Sequence, residues 1–200
     1  MREGVEMTDF PRKTGKHEIR KDAWNKASGK AKYTADIPVE NLKIGLIVRS
    51  PHHFARIQNI DKKPALEIPG VLAVLTSDDI PGEKIFGSLV PDQPSLAQDL
   101  VRHLGEPVVL IIAETRKAAR LAQEVIKISY EPLTPVFDPV LAAAPEAPQL
   151  HPDGNIITEL NLGDGNIKQG FEEADHILED TFDLPRISPG YMEPETSLAI

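Results

Sequence analysis

Two adjacent histidines, His52 and His53, follow Ser50-Pro51 and are the side chains whose type and spacing come nearest to gripping a metal ion. Neighbours on extended backbone point to opposite faces, however, so the pair cannot easily close on one ion. A structural turn is the expected role. His17, His103, His151 and His176 have no Cys, His or carboxylate partner at ligand spacing and read as tail, surface or capping groups. Asp78 and Asp79 form a carboxylate pair of the kind acid–base chemistry uses, yet adjacent acids at a helix start serve to cap free backbone N–H groups and to complement the dipole. Capping is the expectation. Gly163-Asp164-Gly165-Asn166 lacks the GxGxxG or GKS/T pattern of a phosphate cradle and the closing Glu of an EF-hand, so it reads as a tight turn. With no GxSxG elbow and no cysteine, covalent hydrolysis has no machinery here. The expectation is that this chain carries no catalytic, cofactor-binding or metal-ligating residue of its own.

The elements that would position any such groups belong to a chain of 200 residues, long enough for one large or two small domains, with 40% hydrophobic residues. A formal charge of −9 and the lack of a Lys/Arg cluster argue against nucleic acid as a partner, because that binding draws most of its affinity from neutralising phosphates. Zero cysteines exclude disulfides and leave an iron-sulfur cluster without thiolate ligands. The longest apolar run, Val108 to Ala113, is far short of the roughly 20 residues that span a bilayer. The first twenty residues hold no apolar core of a secretory signal, and cytoplasmic residence is expected.

Residues 1–17 carry no hydrophobic period and read as a mobile tail. Leu42 to Val48 reads as a strand closed by Pro51, and Ala55 to Asp61 as a second, half-exposed strand. Pro64 to Ile68 is a helical candidate, and Pro69-Gly70 a turn that launches a strand over Val71 to Thr76. The segment from Pro81 to Leu104, with three prolines, is a long excursion holding at most one hairpin. Val108 to Glu114 is the clearest buried strand. Thr115 caps the clearest helix, in which Ala118, Leu121, Ala122, Val125 and Ile126 line one apolar face, and strand character returns at Ile128. This predicts a βαβ-like unit with a right-handed crossover. Residues 135–154 form a Pro/Ala-rich linker with at most one helical turn near Asp138 to Ala144. Residues 155–200 start a second substructure: a turn at 161–166, a helix over Ile167 to Ala174 and a strand over His176 to Phe182.

Several phrases in order, RKDAWNKASGKAKYTADIP (20–38), RSPHHFARIQNID (49–61), GVLAVLTSDDIPG (70–82) and HLGEPVVLIIAETRKAARLAQEVIKISYEPL (103–133), followed by GD at 163, EAD at 173 and MEPE at 192, resemble the molybdenum-binding subunit of the xanthine dehydrogenase and aldehyde oxidase family. The resemblance implies an α/β fold of the α+β, mixed-sheet kind: an α/β-hammerhead domain over residues 18–134, then the first segment of a molybdopterin-binding domain over 155–200. Minor departures are Ala27-Ser28, where a Val-Thr pair is common, and Glu106, where Gln or Asp often stands. Glu193 is the one carboxylate in a family-like setting, and no catalytic or cofactor role is expected of it. In the family, molybdopterin and the glutamate base are held by FGGK-type and later segments, none of which occurs in these residues.

The resemblance further implies a parent enzyme that hydroxylates a purine carbon with oxygen from water, in purine catabolism, passing electrons to 2Fe-2S and FAD groups on partner subunits. Aldehyde, carbon monoxide, nicotinate or isoquinoline oxidoreductases are the alternatives, as is a non-catalytic docking module. Because only a short tail precedes the hammerhead, a separate large subunit of a multi-chain bacterial enzyme is expected. The chain ending in mid-strand at Ile200 is expected to be a fragment, inactive by itself and able to self-associate through the open edges of residues after about 155.

Overall fold

The computed structural model describes residues 20–88, 90–185, 187–190 and 196–199. The tail over residues 1–17 with His17, and the MEPE phrase with Glu193, lie outside them. The chain divides into two compact units, residues 41–180 and residues 1–40 with 181–200. In the latter the described elements are a one-turn helix α1 (Ala23–Ala27) and a 3-10 turn over Thr34–Asp36. Among the described residues no helix is long and apolar enough to cross a membrane.

The larger unit is organised by the most apolar strand. It contains β1 (Ile44–Arg49), β2 (Ala55–Asp61), α2 (Lys63–Leu66), β3 (Val71–Leu75), β4 (Ile85–Phe86), β5 (Gln93–Pro94), β6 (Leu100–Val101), β7 (Pro107–Ala113), α3 (Arg116–Val125), β8 (Lys127–Pro132), α4 (Pro139–Ala142) and α5 (Ile167–Glu173). β7 lies between β1 and β3, antiparallel to both, with Ile111 opposite Leu46 and Val74. Its Val108, Val109, Ile111 and Ala113 are fully buried, as suits a strand covered by neighbours on both sides. Pro107 opens the strand, where a missing donor is tolerated. A second sheet runs in the order β6-β2-β8, again antiparallel, and β4-β5 is the hairpin inside the long excursion.

The strand–helix–strand run over 107–132 is therefore not a βαβ unit. β7 and β8 lie in different sheets, so the right-handed parallel crossover predicted from local pattern does not form. The deciding contacts are long-range: β8 completes its hydrogen bonds on β2, with Ala55 opposite Pro132. No local period reports which sheet a strand joins. The helix between them is capped as expected, Thr115 Oγ1 accepting from Ala118 N at 3.2 Å. Its buried stripe is Ala118, Ala119 and Ala122, while Leu121 is 41% exposed. Alanine lets the helix approach the core closely, which turns the face by about one position from the predicted one.

Gly70 explains the turn before β3. Its φ of +87° favours glycine, its carbonyl accepts from Glu114 N at 2.8 Å, and a Cβ there would stand 3.4 Å from Ala118 Cβ. Beyond β8, α4 is capped by Asp138, whose Oδ1 accepts from Val140 N at 2.7 Å and Leu141 N at 3.1 Å. α5 is capped by Asn166 Oδ1, 3.1 Å from Gln169 N. The strand expected over His176 to Phe182 is absent among the described residues, because a strand exists only where a neighbouring one completes its ladder.

Candidate functional site

His52 and His53 do point apart. His52 packs edge-on against Tyr130 at 4.9 Å between ring centroids, and His53 against Phe137 at 5.0 Å. The turn that carries them is built by Ser50, whose Oγ accepts from His52 N at 3.0 Å. Burial pushes the Tyr130 phenol up, with the Ser50 hydroxyl pulling the other way. His103 and His176 are exposed, and residues 163–166 are exposed and irregular apart from a bend at Gly165, φ +75°, in place of the expected tight turn.

Asp78 and Asp79 separate into unlike roles. Ser77–Asp79 forms a single 3-10 turn rather than a longer helix, and Asp79 closes a capping box by accepting from Thr76 N at 2.7 Å and Thr76 Oγ1 at 3.0 Å. The Lys62 ammonium, 2.6 Å away at the end of β2, completes its shell and, with the Thr76 donors, lowers the carboxyl from 3.8 to about 2. A depressed folded-state value means the contribution is present above pH 3.8 and lost as pH falls from 3.8 through about 2. Acid unfolding followed by circular dichroism is therefore expected to show stability weakening over that window, and Asp79→Asn is expected to remove that share of the pH slope. An unchanged slope in the variant would sink the assignment. Asp78, with a side chain 98% exposed, only approaches Lys84, at 4.0 Å.

The residues that converge are ones that spacing did not reveal. A crevice of about 540 Å³ opens between the excursion and residues 151–157, with Ile85, Val90, Leu100 and Ile156 among its apolar walls and Arg102 and His151 among its polar ones. That is the volume range of small-ligand sites. His151 Nδ1 lies 3.8 Å from Asp92 Oδ2, a partner 59 residues earlier that no ligand-spacing rule could name. Arg102 Nε donates to Leu150 O at 2.6 Å. Asn155 Oδ1 accepts from Leu150 N at 2.8 Å, while its Nδ2 donates to Ala142 O and Pro148 O, both at 2.9 Å. Beneath them Glu106, 3% exposed, accepts the Arg102 N–H in a short hydrogen bond. This arrangement can hold chain segments together. Among the described residues it brings no nucleophile to a base, and no group of three or more His, Cys, Asp or Glu is placed to hold a metal ion.

Electrostatics divide the chain at the same place. Residues 151–200 carry eleven Asp/Glu against two Lys/Arg, so the whole formal charge of −9 resides there. Large apolar side chains are exposed in the same stretch, Leu162 at 84% and Leu178 at 97%.

Comparison with known proteins matches both parts. The model of the aldehyde oxidase and xanthine dehydrogenase a/b hammerhead domain matches residues 28–134, and that of the molybdopterin cofactor-binding domain matches residues 150–200. The chain is similar to a probable xanthine dehydrogenase subunit from Bacillus subtilis (strain 168), 36% identical over 91% of the chain and 24% of the relative. It is similar to the nicotinate dehydrogenase large molybdopterin subunit of Eubacterium barkeri, 32% identical over 92% of the chain and 44% of the relative. The chain thus spans less than half the length of either curated relative. Among solved structures, a Cu,Mo-CO dehydrogenase aligns with TM-score 0.64 and 34% identity over 70% of the chain and 18% of its own. The aldehyde oxidoreductase from Desulfovibrio gigas aligns with TM-score 0.61 and 29% identity over 66% of the chain and 16% of its own.

Proposed function

The chain belongs to the aldehyde oxidase and xanthine dehydrogenase family, and from that membership we propose that it is the scaffold end of the molybdopterin-binding subunit of a molybdenum hydroxylase acting on a purine carbon. The observation that carries the reading is the order of the two matches, hammerhead before molybdopterin-binding, along a chain 36% identical to a probable xanthine dehydrogenase subunit. We divide it into a hammerhead domain over 18–134, a connection over 135–154 and the first molybdopterin-domain segment over 155–200. Iron-sulfur and FAD subunits are its proposed partners in a cytoplasmic complex, and the absence of cysteine in these residues fits a scaffold that leaves thiolate-ligated clusters to others. Similarity to a nicotinate dehydrogenase subunit favours a pyridine carbon as the second reading.

The described residues do not by themselves fit a molybdopterin group. Those from 158 to 180 are exposed and, apart from α5, irregular, and the shallow groove that Ile167, Phe171, Ile177 and Leu178 help to line along α5 is walled mostly by apolar side chains, which do not suit the polar edge of a pterin or its phosphate. We propose no catalytic, cofactor-binding or metal-ligating role for the described residues. Molybdopterin, when bound in the complete subunit, supplies the oxo-transfer and two-electron chemistry. The part proposed for these residues is to support the domain that binds it. Self-association through the exposed 155–200 stretch remains part of the proposal, with like charge working against it at low salt.

Metal analysis of the purified 200-residue chain, beside the complete subunit expressed with its partners, tests the reading. Molybdenum and purine-dependent dye reduction are expected only in the complete preparation. Stoichiometric molybdenum in the chain alone, or a complete preparation that takes no molybdenum, would overturn it.

A further inference from the structure

We propose that residues 138–155 form a self-latched strap that fixes where the molybdopterin-matching segment leaves the hammerhead sheets, with Asn155 and Arg102 as its positioning residues. The significance of that segment rests on the functional reading above, whereas the latch itself rests on geometry alone. Leu150, the first residue of the molybdopterin-domain match, is gripped through both of its main-chain groups: its N–H by Asn155 Oδ1 and its carbonyl by Arg102 Nε. The other main-chain groups that side chains hold in this stretch, at Val140, Leu141, Ala142 and Pro148, are each held from one direction.

Asn155 suits the task by its chemistry. A short amide carries an acceptor and two donors on one fork, and here the donors reach Ala142 O and Pro148 O while the acceptor takes Leu150 N. One side chain so ties the end of α4, Pro148 and Leu150 into a closed loop. Aspartate would set a second oxygen against two carbonyls, and alanine would leave three main-chain groups without these partners. Gly154, at φ +97°, lets the chain turn back so that its N–H reaches His151 O at 3.0 Å, which brings Asn155 into place. Two links fasten the loop to the excursion, Arg102 to Leu150 O and the His151–Asp92 pair. Arg102 is itself fixed, because Glu106 takes its backbone N–H.

Such a strap should open as a unit separate from the sheets, since its bonds run within itself and through two side chains rather than through a ladder. Amide hydrogen exchange on the 200-residue chain tests this with no cofactor or substrate required. In Asn155→Ala and Asn155→Asp, protection of Leu150 is expected to fall at least about tenfold while that of Val109 and Ile111 in β7 stays within about twofold. Arg102→Ala is expected to do the same, and Arg102→Lys to restore part of it. Position is read separately. The chain has no cysteine, so a spin-label pair at Glu124→Cys and Ile157→Cys, both exposed, reports one distance. That distance distribution is expected to be narrow in the parent and broad in Asn155→Ala. Unchanged exchange, an unchanged distribution, or loss of protection that extends into β7 would each overturn the proposal. A strap that behaves as expected in a chain whose complete subunit takes no molybdenum would leave the latch standing and remove the functional reading.

Discussion

Ile111→Ala is expected to lower the free energy of unfolding by about 2–5 kcal/mol, the range for truncating a fully buried aliphatic residue. Ile111 is 0% exposed at the middle of β7, opposite Leu46 on one side and Val74 on the other. The cluster around it includes Val109, Ala113 and the alanines of α3. Alanines on the covering helix have no long side chain to swing into the vacated space, so the cavity should stay largely open and the cost should fall in the upper part of the range. Urea unfolding is the measurement, with a lower midpoint and an unchanged slope as the expected result. A loss under about 1 kcal/mol would mean that the β1-β7-β3 sheet does not carry the stability of the unit.

The second large effect is expected at Glu106. Its carboxylate is buried and accepts the Arg102 N–H, its carbonyl accepts from Ser50 N at 2.9 Å, and its own N–H donates to His103 O at 3.2 Å. Glu106→Ala keeps the main-chain bonds but leaves the Arg102 N–H unpaired, at a cost of about 1–3 kcal/mol. Glu106→Gln keeps an acceptor of the same reach and should cost under about 1 kcal/mol. Thermal melts of the two variants separate the ideas: equal losses would show that the accepted hydrogen bond is not what the buried side chain contributes.

These two residues illustrate what the sequence disclosed and what it withheld. β7 announced itself through an unbroken apolar run, and Ile111 needed nothing more to be placed in the core. Glu106 follows Gly105 and precedes Pro107, a context that reads as a turn, and nothing local marks its carboxylate as buried. Its partner is four residues back, bonded through a conformation that only the assembled turn creates. The α3 face was legible to within one position, because Leu121 and Ala119 differ in size and packing, rather than period, decided which turned inward. Sheet membership was not legible, since nothing within β7 or β8 reports which distant strand completes it. The crevice residues stayed hidden for the same reason. Asp92 and His151, or Arg102 and Leu150, become neighbours only after the excursion and the strap have folded towards each other.

The pairing of β1 with β7 and of β2 with β8 also governs when this unit can form at all. Ile44 faces Ala113 and Ala55 faces Pro132, so each sheet closes across roughly seventy residues of chain, and that loop entropy must be met before either ladder gains anything. On a ribosome β1 and β3 therefore wait, with open edges, until β7 has emerged, and β2 lacks its longer ladder until β8 follows. The two sheets thus close in order, the first with the arrival of β7 and the second with that of β8.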